Sequence, residues 1–391
     1  MRVALVCVDD LSVVQFCEGI IKTIRADGSN TVCVISDSTT DETGGHYSSV
    51  IKSWGAKHIS VPLYRYINPY KDLRYAYRLN RIFRSEQVDL VINVLNKPSI
   101  YGSIAAAFSG ARTTVTTLFG MGLVFSDQKS FRYRALRLIL TCLYWLAFKL
   151  SDWVWFTNRA DFEYFDSRGL VDRKKVELTR FWVDLEAYAP NTVSPQALEK
   201  IREELGITSA HKVVVMVARM SWAKGVREFA EAAEELQERM PEAQFILVGP
   251  MDDGSPDCVT ESYMEEITQF TNLHWLGFRP DVKELYALAD VAVLPSYYRE
   301  GGYPRGLTEP MAMGKPIITT DNPHCRDTVE DGYNGFVVPM KDSGELASAI
   351  VRVLSDEQER TRLGKNSRSK AEKDFDERSI VSATLDRFKL L

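Results

Sequence analysis

Short β-branched apolar runs alternate with longer amphipathic stretches along almost the whole of this chain, and that rhythm constrains its fold more than any other feature. Runs that are apolar on both faces suit the interior of a parallel sheet, and the amphipathic stretches between them suit crossover helices. In the first half the predicted strands are Val3–Val8, Thr31–Ser36, Lys57–Val61, Asp89–Val94, Thr113–Thr117, Asp152–Thr157 and Lys175–Thr179. The rhythm lapses over Phe181–Pro190, which reads as a linker. It resumes at Lys212–Ala218, Gln244–Val248, Asn272–Leu276, Asp290–Leu294, Pro316–Thr319 and Asn334–Val338. The tail from Asp356 is charged and strand-free, which predicts two or more outer helices. A length of 391 residues exceeds what one core usually fills, so the expectation is two doubly wound α/β domains.

Composition narrows the class. With 45% apolar and 26% charged residues, this is an ordinary folded protein and neither a disordered nor a disulfide-stapled one. Six cysteines contain no CxxC pair and five histidines show no ligand spacing, so no metal site or disulfide framework is expected. A reducing cytoplasm fits best. The opening apolar run meets Asp9 and Asp10 too early for a signal peptide. The longest uncharged apolar run, Leu138 to Phe148, is eleven residues, against the roughly 20 that a membrane span needs.

Charge is unevenly divided. Residues 1–183 carry 24 Lys and Arg against 17 Asp and Glu, whereas residues 184–391 carry 24 against 36, so the first half is the one suited to an anionic partner. Two segments concentrate that charge. Tyr64–Arg84 holds six cations to one acid, with Lys71, Arg74, Arg78 and Arg81 at helical spacing, and Lys129–Lys149 adds Arg134 and Arg137 ahead of Trp145 with no acid at all. Interleaved tyrosines and Trp145 are side chains favoured at a headgroup boundary, so these segments are candidates for contact with an anionic membrane surface. A solvated face and a core helix are the plain alternatives. No recognition motif for nucleic acid accompanies the charge.

The chemistry is concentrated in the second half. Leu294 to Asp321 takes a strand end into a Gly/Pro loop and then a helix beginning near Arg305, with Glu309 in its first turns. Glycines and a helix N-terminus let backbone amides receive a diphosphate, and a carboxylate a turn further in can accept the hydroxyls of a ribose. Val213 to Gly225 runs a buried strand into an R-x4-K pair, Arg219 and Lys224, where a leaving diphosphate would need its charge neutralised. A surface loop and solvated cations are the competing readings.

These residues resemble the retaining, sugar-nucleotide-dependent glycosyltransferases of family 4. The resemblance implies the GT-B fold, two Rossmann-like domains facing a central cleft: an acceptor domain over residues 1–185 and a donor domain over 186–374, with a helix over 375–391 packing back on the first. It implies that Arg219 and Lys224 grip the donor diphosphate, Gly306 and Leu307 supply backbone beside it, and Glu309 binds the ribose. Glu300 then lies against the donor sugar, and Phe278 and Arg279 in Leu276-Gly-Phe-Arg-Pro-Asp281 hold the base. Eight residues separate Glu300 from Glu309 where the family pattern has seven.

The first half, with Lys97 in Asn96-Lys-Pro-Ser and Gly120 and Gly122 in Thr117-Leu-Phe-Gly-Met-Gly, resembles the branch that extends sugars on polyprenyl diphosphate carriers. Those three residues are expected at the acceptor or donor sugar, with a flexible turn as the alternative for the glycines. The implied partners are a UDP-sugar and a polyprenyl-diphosphate-linked saccharide met at the inner face of the cytoplasmic membrane. No cofactor and no essential metal are expected. A sugar-nucleotide epimerase on the same architecture and a catalytically silent nucleotide-sugar-binding subunit are the other readings.

Overall fold

The computed structural model describes residues 1–26, 28–38, 46–64, 67–125 and 131–388, which fall into two compact units. The first contains Met1–Phe181 and Glu377–Leu391, and the second Trp182–Asp376. The first long crossing comes slightly before the boundary expected at residue 185, because Phe181 packs its ring on Phe16 and Phe119. From the next residue onward the chain serves the second unit, where the Val183 amide donates to the Phe375 carbonyl at 2.9 Å.

Every strand read from the sequence is present. In the first unit β1 (Arg2–Asp9), β2 (Thr31–Asp37), β3 (Lys57–Ser60), β4 (Leu90–Asn93), β5 (Thr113–Leu118), β6 (Trp153–Phe156) and β7 (Val176–Leu178) form one parallel sheet ordered β3-β2-β1-β4-β5-β6-β7. In the second, β8 (Lys212–Val217), β9 (Ala243–Val248), β10 (Leu273–Trp275), β11 (Val291–Leu294), β12 (Ile317–Thr320) and β13 (Gly335–Val338) are ordered β10-β9-β8-β11-β12-β13, again parallel. In each sheet the order reverses beside its first strand. Such a switch point opens a crevice at the strand carboxyl ends, where ligands of open α/β sheets bind.

Right-handed crossovers put the helices that follow β3, β4 and β5 on one face of the first sheet. The helix Pro69–Ser85 is started by Asn68, whose side chain accepts from the Lys71 amide, with Pro69 at the first helical position. It buries Tyr75, Ala76, Leu79 and Phe83 on the sheet side. The helix Phe131–Leu150 buries Tyr144, Ala147 and Phe148 in the same way. Both pack against the short helix Ser103–Ala107. The helix Glu377–Arg387 covers the opposite face, against Glu18–Arg25, and Phe388 follows it onto Trp153 with ring centroids 5.1 Å apart. The last residues of the expected 375–391 helix, 389–391, lie outside the described residues, as do Arg65, Tyr66 and Lys129 of the basic segments. Among the described residues no helix is long and apolar enough to cross a membrane.

Candidate active site

The site in the second unit is built on the ends of β8 and β11. Past β8 the chain turns sharply, and Asp257 holds the turn by accepting from the Ser221 hydroxyl and, at 2.9 Å, from the Ala223 amide. The turn closes at Gly225, where φ is +85° and an added Cβ would lie 2.3 Å from the Pro295 carbonyl oxygen. Only glycine fits there, and the close approach sets Lys224 beside the loop that leaves β11. Lys224 Nζ donates to both oxygens of Glu300, at 2.6 and 2.7 Å, and sits 4.8 Å from the centroid of the Tyr298 ring. Ser296 Oγ donates to the same carboxylate at 2.8 Å. Asn322 fixes the loop itself through the carbonyls of Ser296 and Tyr298.

Arg219 is arranged differently. Its Nη1 donates to Asp252 Oδ1 at 2.5 Å, but its side chain is 46% exposed where that of Lys224 is 13% exposed. Burial raises the Tyr298 hydroxyl above its ordinary pKa, with Arg219 acting in the opposite sense. The structure thus brings the two cations predicted from the sequence to one place and gives each a carboxylate partner.

The loop between Glu300 and the next helix turns through left-handed backbone. Gly302 and Tyr303 both have positive φ, +77° and +51°, and the Tyr303 ring packs on Phe375 with centroids 5.1 Å apart. Glu300 stays buried, at 6% exposure. After Pro304 the helix Arg305–Ala312 starts hard against β8, with the Gly306 position 2.9 Å from the Val217 carbonyl oxygen for any added Cβ. Leu307 contributes no side chain to a ligand: it is fully buried in the core, and its amide donates to the Pro304 carbonyl.

Glu309, one turn into this helix, is paired with Arg305, which donates from Nε at 2.6 Å. Tyr188 lies against the same pair, its hydroxyl pushed well above the ordinary range by burial and by the charge of Glu309. Burial works against the Arg305 charge, but Glu309 and Tyr188 outweigh it and hold the guanidinium protonated. Phe278 stands half exposed after β10, while Arg279 is engaged by Asp281 and Glu204, hydrogen bonds that hold its pKa above the usual value.

The first-unit candidates form no comparable cluster. Lys97 donates to buried Asp72 at 2.5 Å and to the Tyr64 carbonyl at 2.7 Å, so its ammonium braces the helix Pro69–Ser85. Gly120 and Gly122 follow β5 with φ of +112° and +72°. Arg74 and Arg81 are exposed, as is Lys71, whereas Arg78 is partly covered. Arg134 is exposed, Arg137 is partly buried and donates to the Val124 carbonyl, and Trp145 is exposed. The sequence reading missed Asp252, Ser296, Tyr298, Arg305 and Tyr188. Arg305 alone left a local signal, an i,i+4 Arg and Glu pair at a helix start.

Comparison with known proteins places this geometry. Residues 198–370 match the model of the group 1 glycosyl transferases. The chain is 28% identical over 98% of its length, and 97% of the relative's, to the N,N'-diacetylbacillosaminyl-diphospho-undecaprenol alpha-1,3-N-acetylgalactosaminyltransferase of Campylobacter jejuni. It is also 28% identical over 75% of its length to the UDP-Gal:alpha-D-GlcNAc-diphosphoundecaprenol alpha-1,3-galactosyltransferase of Escherichia coli, of which it covers 73%. The solved structure of Anabaena Alr3699/HepE in complex with UDP-glucose shares the fold, with a TM-score of 0.78 and 22% identity over 99% of this chain and all of that one. The epimerase and silent-subunit readings gain no support from these proteins. The chain is a glycosyltransferase of the GT-B fold, and its residues 198–370 match the group 1 glycosyl transferases.

Proposed function

We propose that the enzyme moves a sugar from a UDP-sugar to a hydroxyl of a polyprenyl-diphosphate-linked saccharide, with retention at the anomeric carbon. The convergence of Arg219, Lys224 and the N-terminus of Arg305–Ala312 on the end of β8 carries this reading. The names of the Campylobacter and Escherichia relatives support the lipid-linked acceptor.

As the bond from the sugar to the diphosphate breaks, negative charge grows on the leaving phosphate, and fixed cations there lower the barrier. Before the donor arrives, Glu300 and Asp252 keep those cations in place. In the reaction the anomeric carbon loses its bond to the phosphate oxygen and gains one to the acceptor hydroxyl oxygen on the same face. The hydroxyl proton passes to the departing phosphate. Arg219 and Lys224 supply the neutralisation that a metal ion would otherwise give, so no essential metal or cofactor is required. Glu309 accepts from the ribose hydroxyls, Phe278 lies along the base, and Gly120 and Gly122 let the backbone come close to sugar.

The enzyme works at the inner face of the cytoplasmic membrane. On the helix Pro69–Ser85, Tyr70 and Leu73 are 75% and 68% exposed among Lys71, Arg74 and Arg81, and on Phe131–Leu150, Phe131 and Leu138 are 83% and 66% exposed. Exposed aromatic and apolar side chains among cations suit an anionic interface. The only acid of the two helices, Asp72, is buried under Lys97.

A panel of labelled UDP-sugars, incubated with and without lipid extracted from native membranes and read by mass spectrometry, tests the assignment. A lipid-borne product with one added sugar is expected. Donor interconversion or release of free sugar without any lipid product would overturn it.

A further inference from the structure

The outer side of the helix Phe131–Leu150 does more than present an apolar stripe. Between it and the segment that follows the helix Arg159–Asp166 lies a groove of about 480 Å³, within the range of cavities that hold small ligands. Leu138, Cys142 and Trp145 form its apolar wall, and Arg134, Arg137 and Arg168 line it with positive charge. None of its lining residues is acidic. Two of the guanidiniums are oriented by neutral groups: Arg137 donates to the Val124 carbonyl at 3.2 Å, and Arg168 donates to the Tyr164 carbonyl at 2.7 Å while lying 3.9 Å over the Tyr164 ring. Arginine forks of this kind match phosphate oxygens, while the apolar wall matches a hydrocarbon tail.

Leu138 and Trp145 belong both to the groove and to the exposed stripe that continues through Ile139 and Leu146. A lipid tail can therefore pass from a bilayer into the groove without crossing a polar barrier. The geometry points to this groove as the seat of the phosphorylated polyprenyl chain of the acceptor, with the phosphate held by Arg134, Arg137 and Arg168. This rests on the lipid-linked acceptor proposed above and adds the place where the carrier is held.

Cys142 is the exposed cysteine of the described residues; Cys7, Cys17, Cys33 and Cys325 are buried and Cys258 is partly so. That makes it a reporter inside the groove. In a full-length Cys258→Ser background in neutral detergent, maleimide modification of Cys142 is followed by peptide mass spectrometry as undecaprenyl phosphate is titrated. Modification is expected to slow about tenfold once the probe stands at about ten times its Kd. Undecaprenol and phosphatidylglycerol at the same concentration should protect far less, and an Arg134→Gln/Arg168→Gln variant should lose most of the protection. Unchanged modification at saturating undecaprenyl phosphate, or equal protection by either control lipid, overturns the assignment. The transfer assay separates the two readings. Lipid product formed by an enzyme whose Cys142 is never protected removes the groove and keeps the acceptor, whereas protection with no lipid product keeps the groove and removes the acceptor.

Discussion

At the scale of single residues, the two cations proposed to hold the diphosphate differ in exposure, but each covers a buried carboxylate. Arg219→Ala should lower turnover by about two orders of magnitude, because it removes charge proposed to face the leaving group, and should also cost about 1–3 kcal/mol, because it leaves the buried Asp252 carboxylate without its partner. Lys224→Ala should lower turnover similarly and also cost about 3 kcal/mol, since it strands the buried carboxylate of Glu300. The double variant Lys224→Met/Glu300→Gln should regain most of that stability and none of the activity. Thermal denaturation beside steady-state kinetics checks all three, and near-normal turnover in folded Arg219→Ala would withdraw its assignment. For Glu309→Ala, calorimetry should show UDP binding weakened by about 1.5 kcal/mol or more, through loss of charged acceptors for two hydroxyls. The cations were legible because Arg219 and Lys224 follow one strand at a fixed short spacing. Their pairing was not: Asp252, and Glu300, which the sequence offered only as a contact to the donor sugar, lie 33 and 76 residues further along, and only the packing of neighbouring loops brings them together.

At the scale of elements, the loop from Glu300 to Pro304 has one residue more than the family pattern it resembles, and the helix that follows is held in place. The helix Arg305–Ala312 cannot shift, because Gly306 already lies against the Val217 carbonyl, so the additional residue has to be taken up before it. Gly302 and Tyr303 do so in the left-handed region, and Tyr303 accepts that conformation while its ring is packed on Phe375. Gly302→Val should therefore cost about 1–2 kcal/mol for the left-handed backbone alone, whereas Gly301→Ala, at a position with no positive φ, should be close to neutral. Melting temperatures of the two variants decide between this turn and a loose loop, in which both would be tolerated. The strands were read correctly from sequence since each is a short apolar run bounded by polar residues. The departure at this loop was visible as a count, but its solution depended on a tyrosine whose anchor, Phe375, is 72 positions away.

At the scale of the molecule, the opposite charges of the two halves acquire a location. The cations of the first unit stand on helices covering one face of its sheet, so Arg74→Glu/Arg81→Glu should weaken sedimentation with anionic vesicles by about 2 kcal/mol or more, near 1 kcal/mol for each cation. Raised salt should weaken the unaltered protein in the same assay. Equal binding by both proteins at every salt concentration would mean that these arginines are merely solvated. The excess of positive charge was countable in the sequence, but the exposure of Tyr70, Leu73 and Leu138 beside it was not, since apolar residues at helical spacing read equally well as core. The first unit is also discontinuous: its helix Glu377–Arg387 and Phe388, which cover Glu18–Arg25 and Trp153, are reached only after all of Trp182–Asp376. On the ribosome the nascent first sheet must therefore wait, one face uncovered, while the entire second unit is synthesised. That interval is when a trigger-type chaperone has most to hold, and a chain broken off before Glu377 would release a complete second unit attached to a first one that cannot close.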